Sequence, residues 1–221
     1  MRVGVVAAHP DDETLGAGGT VARWIVEGHE GHALILGTGA LARVGADVAE
    51  VPQLQAQAHA AAARLGLASL SLQSFPDNRF DTVALLALVQ TIEAWLGEVR
   101  PTRVLTHVPG CLNVDHALTA RAVLTATRPG TSSVTSVWGF EISSSTEWAF
   151  GHLGGFVPSS FVRLTDDALD RKLAAFGCYE RETRPLPHPR ALAALATRAR
   201  YWGSVAGVAL AEPFVVLRDV Q

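Results

Sequence analysis

The strongest constraint on the fold of this chain is a regular alternation of short apolar runs and amphipathic stretches over about its first 140 residues. The run at 2–8 is almost wholly apolar, as is typical of a parallel strand buried on both faces. Between 82 and 99, apolar residues recur at helical spacing. Strands that alternate with helices indicate an α/β fold, with a mostly parallel sheet and helices on both of its faces.

The same patterns predict where the elements lie. The predicted strands are 2–8, 33–36, 70–73, 103–107, 135–140 and 214–218, and the predicted helices are 20–27, 53–65, 82–99, 115–127, 166–180 and 190–202. Residues 143–160 are rich in Ser and Gly and are predicted to form a long loop. No internal repeat, low-complexity tract or linker divides the chain, so we expect a single domain over residues 1–221.

Composition excludes several classes of protein. The net charge is −3 and the basic residues are scattered, which argues against a nucleic-acid partner. The two cysteines, Cys111 and Cys178, cannot form a disulfide framework. No apolar run approaches the roughly 18 residues that a membrane span needs, and the N-terminus leads into a strand rather than a signal peptide. These features predict a soluble, cytoplasmic protein.

Two polar strings follow predicted strands. The string His-Pro-Asp-Asp-Glu at 9–13 comes directly after the first strand, and a second string at 107–116 begins where the fourth strand ends. In open parallel sheets, sites form beyond the carboxyl ends of the strands, so we expect both strings at one edge. Two histidines and an aspartate that converge there would form a mixed nitrogen and oxygen ligand set, which suits a catalytic zinc with an open water position.

Each string also has a purely structural interpretation. The acidic residues of 9–13 would stabilise the N-terminus of a helix without binding a metal. Asp115 and His116 would likewise begin the next helix. The glycine-rich segment 16–19 lacks the spacing of a dinucleotide fingerprint, and we expect it to allow close approach of the backbone at the wall of the site.

The two strings together resemble the LmbE/PIG-L family of zinc-dependent N-deacetylases, in its bacterial LmbE-like branch. The similarity covers nearly the whole chain and continues through the segments 15–19, 75–78, 128–129, 143–148, 188–190 and 211–214. It implies a Rossmann-like fold and a homo-oligomer. It also implies hydrolysis of an acetamide on an amino sugar or a sugar conjugate.

The resemblance further implies a zinc ion held by His9, Asp12 and His116, with Asp11 as the general base. A zinc-bound water has a pKa near 7 instead of about 15.7, so a hydroxide-like nucleophile exists at neutral pH. A neighbouring carboxylate that is not a ligand can take the proton and later deliver it to the leaving amine. Asp11, beside Asp12, is placed for that role.

Two more residues of the second string receive catalytic roles. Asn113 stands where many relatives carry a histidine, and its amide can still donate to the oxyanion that develops during the reaction. Asp115 can orient His116 or His9 by accepting a hydrogen bond. Cys111, where many relatives carry Asp, and Trp202, where the branch usually carries Arg, depart from the family pattern and put the identity of the substrate in doubt.

A proline-rich segment at 187–190 supplies the remaining candidates. Its prolines restrict the backbone and would present His188 and Arg190 rigidly to a substrate sugar or to a neighbouring subunit. The alternative is an ordinary loop with a solvated arginine.

The leading hypothesis is a zinc-dependent hydrolase that removes an N-acetyl group from a sugar derivative. Two histidines and one carboxylate also form the iron site of non-haem oxygenases, which is a second hypothesis. A third is a catalytically silent module that binds a sugar or a nucleotide. The fold alone does not choose among them.

Overall fold

A seven-stranded sheet forms the centre of the computed structural model, which describes residues 1–42, 45 and 47–220. The strands are β1 (Arg2–Ala7), β2 (Glu30–Gly37), β3 (Ser69–Phe75), β4 (Arg103–His107), β5 (Ser136–Phe140), β6 (Ser160–Arg163) and β7 (Ala211–Asp219). Their order across the sheet is β3-β2-β1-β4-β5-β7-β6. Strands β1 to β5 run parallel, and β7 pairs antiparallel with both β5 and β6. The predicted α/β class with a mostly parallel sheet is confirmed.

Helices cover both faces of this sheet. They are α1 (Asp12–Val26), α2 (Glu50–Leu65), α3 (Leu85–Val99), α4 (Val114–Ala126), α5 (Asp166–Phe176) and α6 (Leu192–Ala206), with short 3₁₀ turns at Phe80–Thr82 and Glu147–Ala149. Successive strand residues point to opposite faces, so Val5 packs in the core beneath α1, α2 and α5, and Val6 packs beneath α3 and α4. No helix in the described ranges has both the length and the apolar character needed to cross a membrane.

The strand order determines where a site can form. Going along the chain, the sheet grows from β1 through β2 to β3 on one side, and then resumes with β4 on the other side of β1. At such a switch point the connections leave on opposite faces, and a crevice opens beyond the carboxyl ends of the two central strands. Strands β1 and β4 end at Ala7 and His107, so both predicted polar strings lie at this crevice.

Helix α1 begins at Asp12, not at residue 20 as the sequence predicted. Glycine has a low helix propensity, and three of them follow closely here, which obscured the first turns. The structure shows why they are glycines. A Cβ at Gly16 would lie 2.2 Å from the Phe140 ring, and one at Gly19 would lie 2.7 Å from Leu164. The expected close approach of the backbone is confirmed, but its location is not, because the segment packs α1 against the core and does not line the wall of the site.

Strand β6 begins at residue 160, where the predicted loop 143–160 ends, and it is not among the predicted strands. It has only four residues, and within the sheet it pairs with β7 alone. Strand β7 starts at Ala211, earlier than predicted, and its first half pairs with β6 while its second half pairs with β5. Pro213 within that first half reads as a strand breaker in the sequence, but it is tolerated near the edge of this sheet.

Two glycine-to-alanine changes should have opposite effects on stability, because Gly16 of α1 is closely packed and Gly97 of α3 is not. Gly16→Ala forces a methyl group into the Phe140 ring, and we expect it to lower the free energy of unfolding by about 1–3 kcal/mol. Gly97→Ala, in the exposed part of α3 with no atom within 4 Å of the new Cβ, should raise it by about 0.4–1 kcal/mol. Urea denaturation measures both changes, and equal effects would contradict the packing described here.

Candidate active site

Three side chains that can ligate a metal meet at the crevice. His9 follows β1, Asp12 opens α1 and His116 lies in the first turn of α4. Their relative exposures are only 8%, 1% and 2%. Asp12 Oδ2 lies 3.4 Å from His9 Nδ1 and 3.3 Å from His116 Nε2, and one ligand atom of each residue lies within 4.8 Å of the other two. The structure therefore brings together the three residues that the sequence analysis assigned to zinc.

The second oxygen of the Asp12 carboxylate has no hydrogen-bond partner among the described residues, although it is buried. Buried polar atoms in folded proteins are almost always paired, so such an atom needs an explanation. A cation held between this carboxylate and the two histidines would provide it. Two imidazoles and one carboxylate, with room for a water, form a donor set typical of catalytic zinc.

The electrostatics of the group also favour a cation. Burial acts to lower the pKa of His9, but hydrogen bonds to Asp115 and Asp12 outweigh it and raise the pKa to about 10. For His116, burial is likewise outweighed, chiefly by the charge of Asp12, and the pKa rises to about 9. Burial would raise the pKa of Asp12, but the charge of His116 and the hydrogen bonds from His116 and His9 keep it well below its ordinary value. The same field that stabilises protons on these rings would stabilise a metal ion in their place.

The orientation of His9 is determined by Asp115. His9 Nε2 donates to Asp115 Oδ2 over 2.9 Å and lies 3.3 Å from Asp77 Oδ1, which leaves Nδ1 facing Asp12. Asp115 Oδ1 in turn accepts from the backbone N–H of Phe80 over 2.8 Å. Of the two histidines that the sequence left open as partners of Asp115, the structure therefore selects His9. Such carboxylate contacts fix the tautomer of a metal-binding histidine.

His116 contacts Cys111, which the sequence analysis noted only as a departure from the family pattern, and His107, to which it gave no role. The Nδ1 of His116 lies 3.2 Å from the Cys111 sulfur, and the His116 ring stacks on that of His107 with the centroids 4.1 Å apart. His107 Nε2 accepts from the backbone N–H of Ala8, and burial lowers the pKa of His107 well below its ordinary value. His107 is therefore a neutral ring that supports His116. Its position at the end of β4, as the first residue of the second string, was the available signal.

Asp11 lies beside the three-residue group and differs sharply from Asp12 in its environment. Burial raises the pKa of Asp11 well above its ordinary value, although the charge of Arg190 opposes the shift. Asp12 is shifted the other way. Neighbouring carboxylates whose pKa values are moved apart take different roles, one as a permanent anion and the other as a proton carrier.

Asn113 caps helix α4 at the edge of the cavity. Its Oδ1 accepts from the backbone N–H groups of Asp115 and His116, and its Nδ2 donates to Asn78 Oδ1 over 2.7 Å. An amide nitrogen carries two hydrogens, so this contact leaves one for a bound molecule. The capping bonds tie the position of His116 to Asn113.

Arg190 and His188 occupy different positions relative to the cavity. Arg190 lies in the wall, where its Nη1 donates to Asp11 Oδ2 and to Glu182 Oε2, each over 2.8 Å. His188 lies behind it, accepts from the backbone N–H of Arg190, and packs its ring against Trp148 with centroids 5.6 Å apart. The arginine therefore binds two carboxylates. This contradicts the alternative in which 187–190 is an ordinary loop with a solvated arginine.

An open cavity of about 160 Å³ lies above the three-residue group. Its walls are mostly polar and are formed by residues His9, Pro10, Asp11, Gly39, Ala42, Asp77, Asn78, Asn113, His116, Ser144, Ser145, Glu182 and Arg190. Carboxylate, amide and hydroxyl groups of this kind suit a ligand with many hydroxyl groups.

Comparison with protein families gives a match over more than half of the chain. The family model described as PIG-L: GlcNAc-PI de-N-acetylase matches residues 4–127, which span β1 to β4 and α1 to α4. A curated relative from Bacillus cereus is a probable N-acetyl-alpha-D-glucosaminyl L-malate deacetylase 2. It is 25% identical over 193 residues, which cover 82% of this chain and 84% of the relative.

Solved structures share the fold over nearly the whole chain. The conserved protein TT1542 of Thermus thermophilus has a TM-score of 0.80 at 26% identity, covering 99% of this chain and 96% of that one. The N,N'-diacetylchitobiose deacetylase of Pyrococcus horikoshii has a TM-score of 0.77 at 17% identity, with coverages of 98% and 84%. The 4-carboxy-2-hydroxymuconate hydratase of Pseudomonas putida has a TM-score of 0.73 at 22% identity, with coverages of 100% and 97%. At the identities of the last two, the likeness concerns the fold alone.

Proposed function

The chain belongs to the PIG-L family, and from that premise we propose that it is a zinc-dependent N-deacetylase that acts on an N-acetylated sugar or sugar conjugate. The observation that carries the proposal is the buried group of His9, Asp12 and His116 with Asp11 beside it. A deacetylase is also what the name of the Bacillus cereus relative states. A hydratase has the same fold, so the reaction needs a direct test.

In this proposal, His9, Asp12 and His116 would hold a zinc ion, which would supply a Lewis acid and a water with a pKa of about 7. Asp11 accepts the proton of the attacking water on its carboxylate. Its raised pKa suits it to hold that proton and then to donate it to the nitrogen as the carbon–nitrogen bond breaks. Acetate and a free amine are the products.

Other residues bind and orient the substrate in this proposal. Asn113 donates its remaining amide hydrogen to the carbonyl oxygen as negative charge develops there. Asp115 holds the ring of His9 in place. Arg190 contacts the sugar from the wall of the cavity, and His188 supports Arg190 from behind.

The decisive experiment is a screen of N-acetylated sugars, sugar-lipids and sugar-nucleotides for acetate release by the zinc-loaded protein. Release that is abolished by a chelator and restored by zinc supports the proposal. Consumption of oxygen by the iron-loaded protein would instead favour an oxygenase. Binding of a sugar without turnover in any metal form would favour a silent binding module.

Changes at the three ligands should remove the metal. His9→Ala, Asp12→Ala and His116→Ala each delete one of three protein ligands, so zinc content should fall and acetate release should be lost. His59→Ala, on an exposed position of α2, is the control and should retain both. Elemental analysis and a chelator competition measure the zinc. Unchanged zinc affinity in all three ligand variants would contradict the site.

A change at Asp11 should separate catalysis from metal binding. Asp11→Asn keeps the shape of the side chain but cannot accept a proton, so we expect kcat to fall by about 10²–10⁴-fold while zinc stays bound. Asp81→Asn, at an exposed position, is the matched control. If Asp11→Asn lost the metal and Asp12→Asn kept it, the two roles would have to be exchanged.

A change at Arg190 should distinguish a substrate contact from a subunit contact, since a homo-oligomer remains a prediction. Arg190→Lys keeps the charge but loses the paired geometry of the guanidinium. If Arg190 binds the sugar, KM should rise or kcat/KM should fall by about 10-fold, as the loss of one charged hydrogen bond implies, with zinc content and thermal stability unchanged. Weaker assembly in light scattering with unchanged KM would place Arg190 at an interface instead. Arg200→Lys, exposed on α6, is the control.

A further inference from the structure

The backbone of Asp11 has an unusual conformation for a residue with a side chain. Its φ is 110° and its ψ is −32°, in a region that favours glycine. Such a conformation costs free energy and persists only where the surrounding structure holds it, often at a functional site. The Asp11 carbonyl accepts from the backbone N–H groups of Thr14 and Leu15, which are in the first turn of α1. The peptide that precedes it needs a separate partner.

That partner is Glu13. Its Oε2 accepts from the backbone N–H of Asp11 over 3.0 Å, and the side chain is almost completely buried. Its Oε1 accepts from Thr14 Oγ1 over 2.8 Å and from Tyr179 Oη over 2.6 Å. Both carboxylate oxygens are therefore occupied. Neither the sequence motif nor the proposed chemistry gives Glu13 a role at the metal or the substrate.

Tyr179 joins this small network from a distant part of the chain. It follows helix α5, 166 residues after Glu13, and it is fully buried in the core on the α1 side of the sheet. Burial, together with the Glu13 carboxylate, raises the pKa of Tyr179 well above its ordinary value, so the phenol keeps its proton and donates. The buried Tyr179 ring therefore restricts the Glu13 carboxylate through this hydrogen bond.

We propose that Tyr179 and Glu13 are positioning residues that hold the strained Asp11 peptide and thereby aim its carboxylate at the metal centre. Asp11 is then held at two points, since Arg190 Nη1 donates to its Oδ2 over 2.8 Å. Without the phenol, Glu13 loses its only hydrogen bond from outside the 11–15 segment within the described structure. The carboxylate can then rotate, and the Asp11 peptide can relax. The catalytic part of this inference rests on the proposed function, and the structural part does not.

The chain offers a matched pair of variants because it contains two tyrosines. Tyr179→Phe keeps the buried ring and removes only the hydroxyl. Tyr201→Phe makes the same change at a half-exposed position on α6. Each variant is measured for kcat, KM and zinc affinity, and hydrogen exchange is followed by mass spectrometry in the peptide that contains Asp11. Exchange reports local opening and does not depend on the reaction.

For Tyr179→Phe we expect kcat to fall about 10- to 100-fold, because a misplacement of about 1 Å of a reacting group has an effect of that size. KM and zinc affinity should stay within about twofold, since the change touches neither a ligand nor the cavity wall. Exchange at Asp11 should become faster, and Tyr201→Phe should match the wild type in every measurement. Glu13→Gln keeps an acceptor for the Asp11 N–H and should lose less activity than Glu13→Ala.

Unchanged kcat and unchanged exchange in Tyr179→Phe would overturn the inference. So would parallel losses of kcat, zinc affinity and thermal stability, which would mark a general structural role. If Tyr179→Phe does not fold, the comparison of Glu13→Gln with Glu13→Ala decides, and equal losses in both contradict the positioning role. If the wild type releases no acetate but exchange at Asp11 accelerates in Tyr179→Phe, the proposed function fails. The inference that Tyr179 and Glu13 hold the Asp11 peptide is then still supported.

Discussion

Asp12 places a negative charge in the interior of the molecule, and the structure around the crevice compensates for it. An isolated buried carboxylate is very costly, so it has to be paired with positive charge or with a metal. Here the carboxylate lies between the rings of His9 and His116, which belong to segments joined to two different strands. The strand order is what makes this possible, because it sets β1 directly beside β4 and ends both at one edge.

Each of the two histidines contacts a further side chain through its other ring nitrogen. Asp115 faces the far nitrogen of His9, and the Cys111 sulfur faces the far nitrogen of His116. A carboxylate and a sulfur are unlike acceptors, so the two imidazoles are not electronically equivalent. The pocket above them is strongly polar and carries one arginine, bound to two carboxylates, among the described lining residues. Recognition of a hydroxyl-rich ligand through directional hydrogen bonds is in keeping with such a surface.

The class of fold and the position of the candidate site could be predicted from the sequence, whereas several contacts that support them could not. The class of fold follows from local periodicity, and the two polar strings could be placed because parallel strands end at a common edge. The start of α1 was missed because Gly16 is chosen by its contact with Phe140, which local propensity does not register. The contacts of Arg190 with Asp11 and of Tyr179 with Glu13 join segments more than 150 residues apart, and no spacing rule reports them.

The packing of α1 on Phe140 has a consequence that reaches beyond the core. The Phe140 ring meets the edge of His107 at a centroid distance of 4.9 Å, and His107 stacks on His116. The contact between α1 and Phe140 is thus linked through the rings of Phe140 and His107 to His116, one of the three side chains that could hold a metal. Interiors packed as densely as crystals transmit small displacements instead of absorbing them. A substitution that tightens or loosens the core at this one contact would therefore also displace His116, so the spacing of the three side chains in the crevice depends on packing that lies outside it.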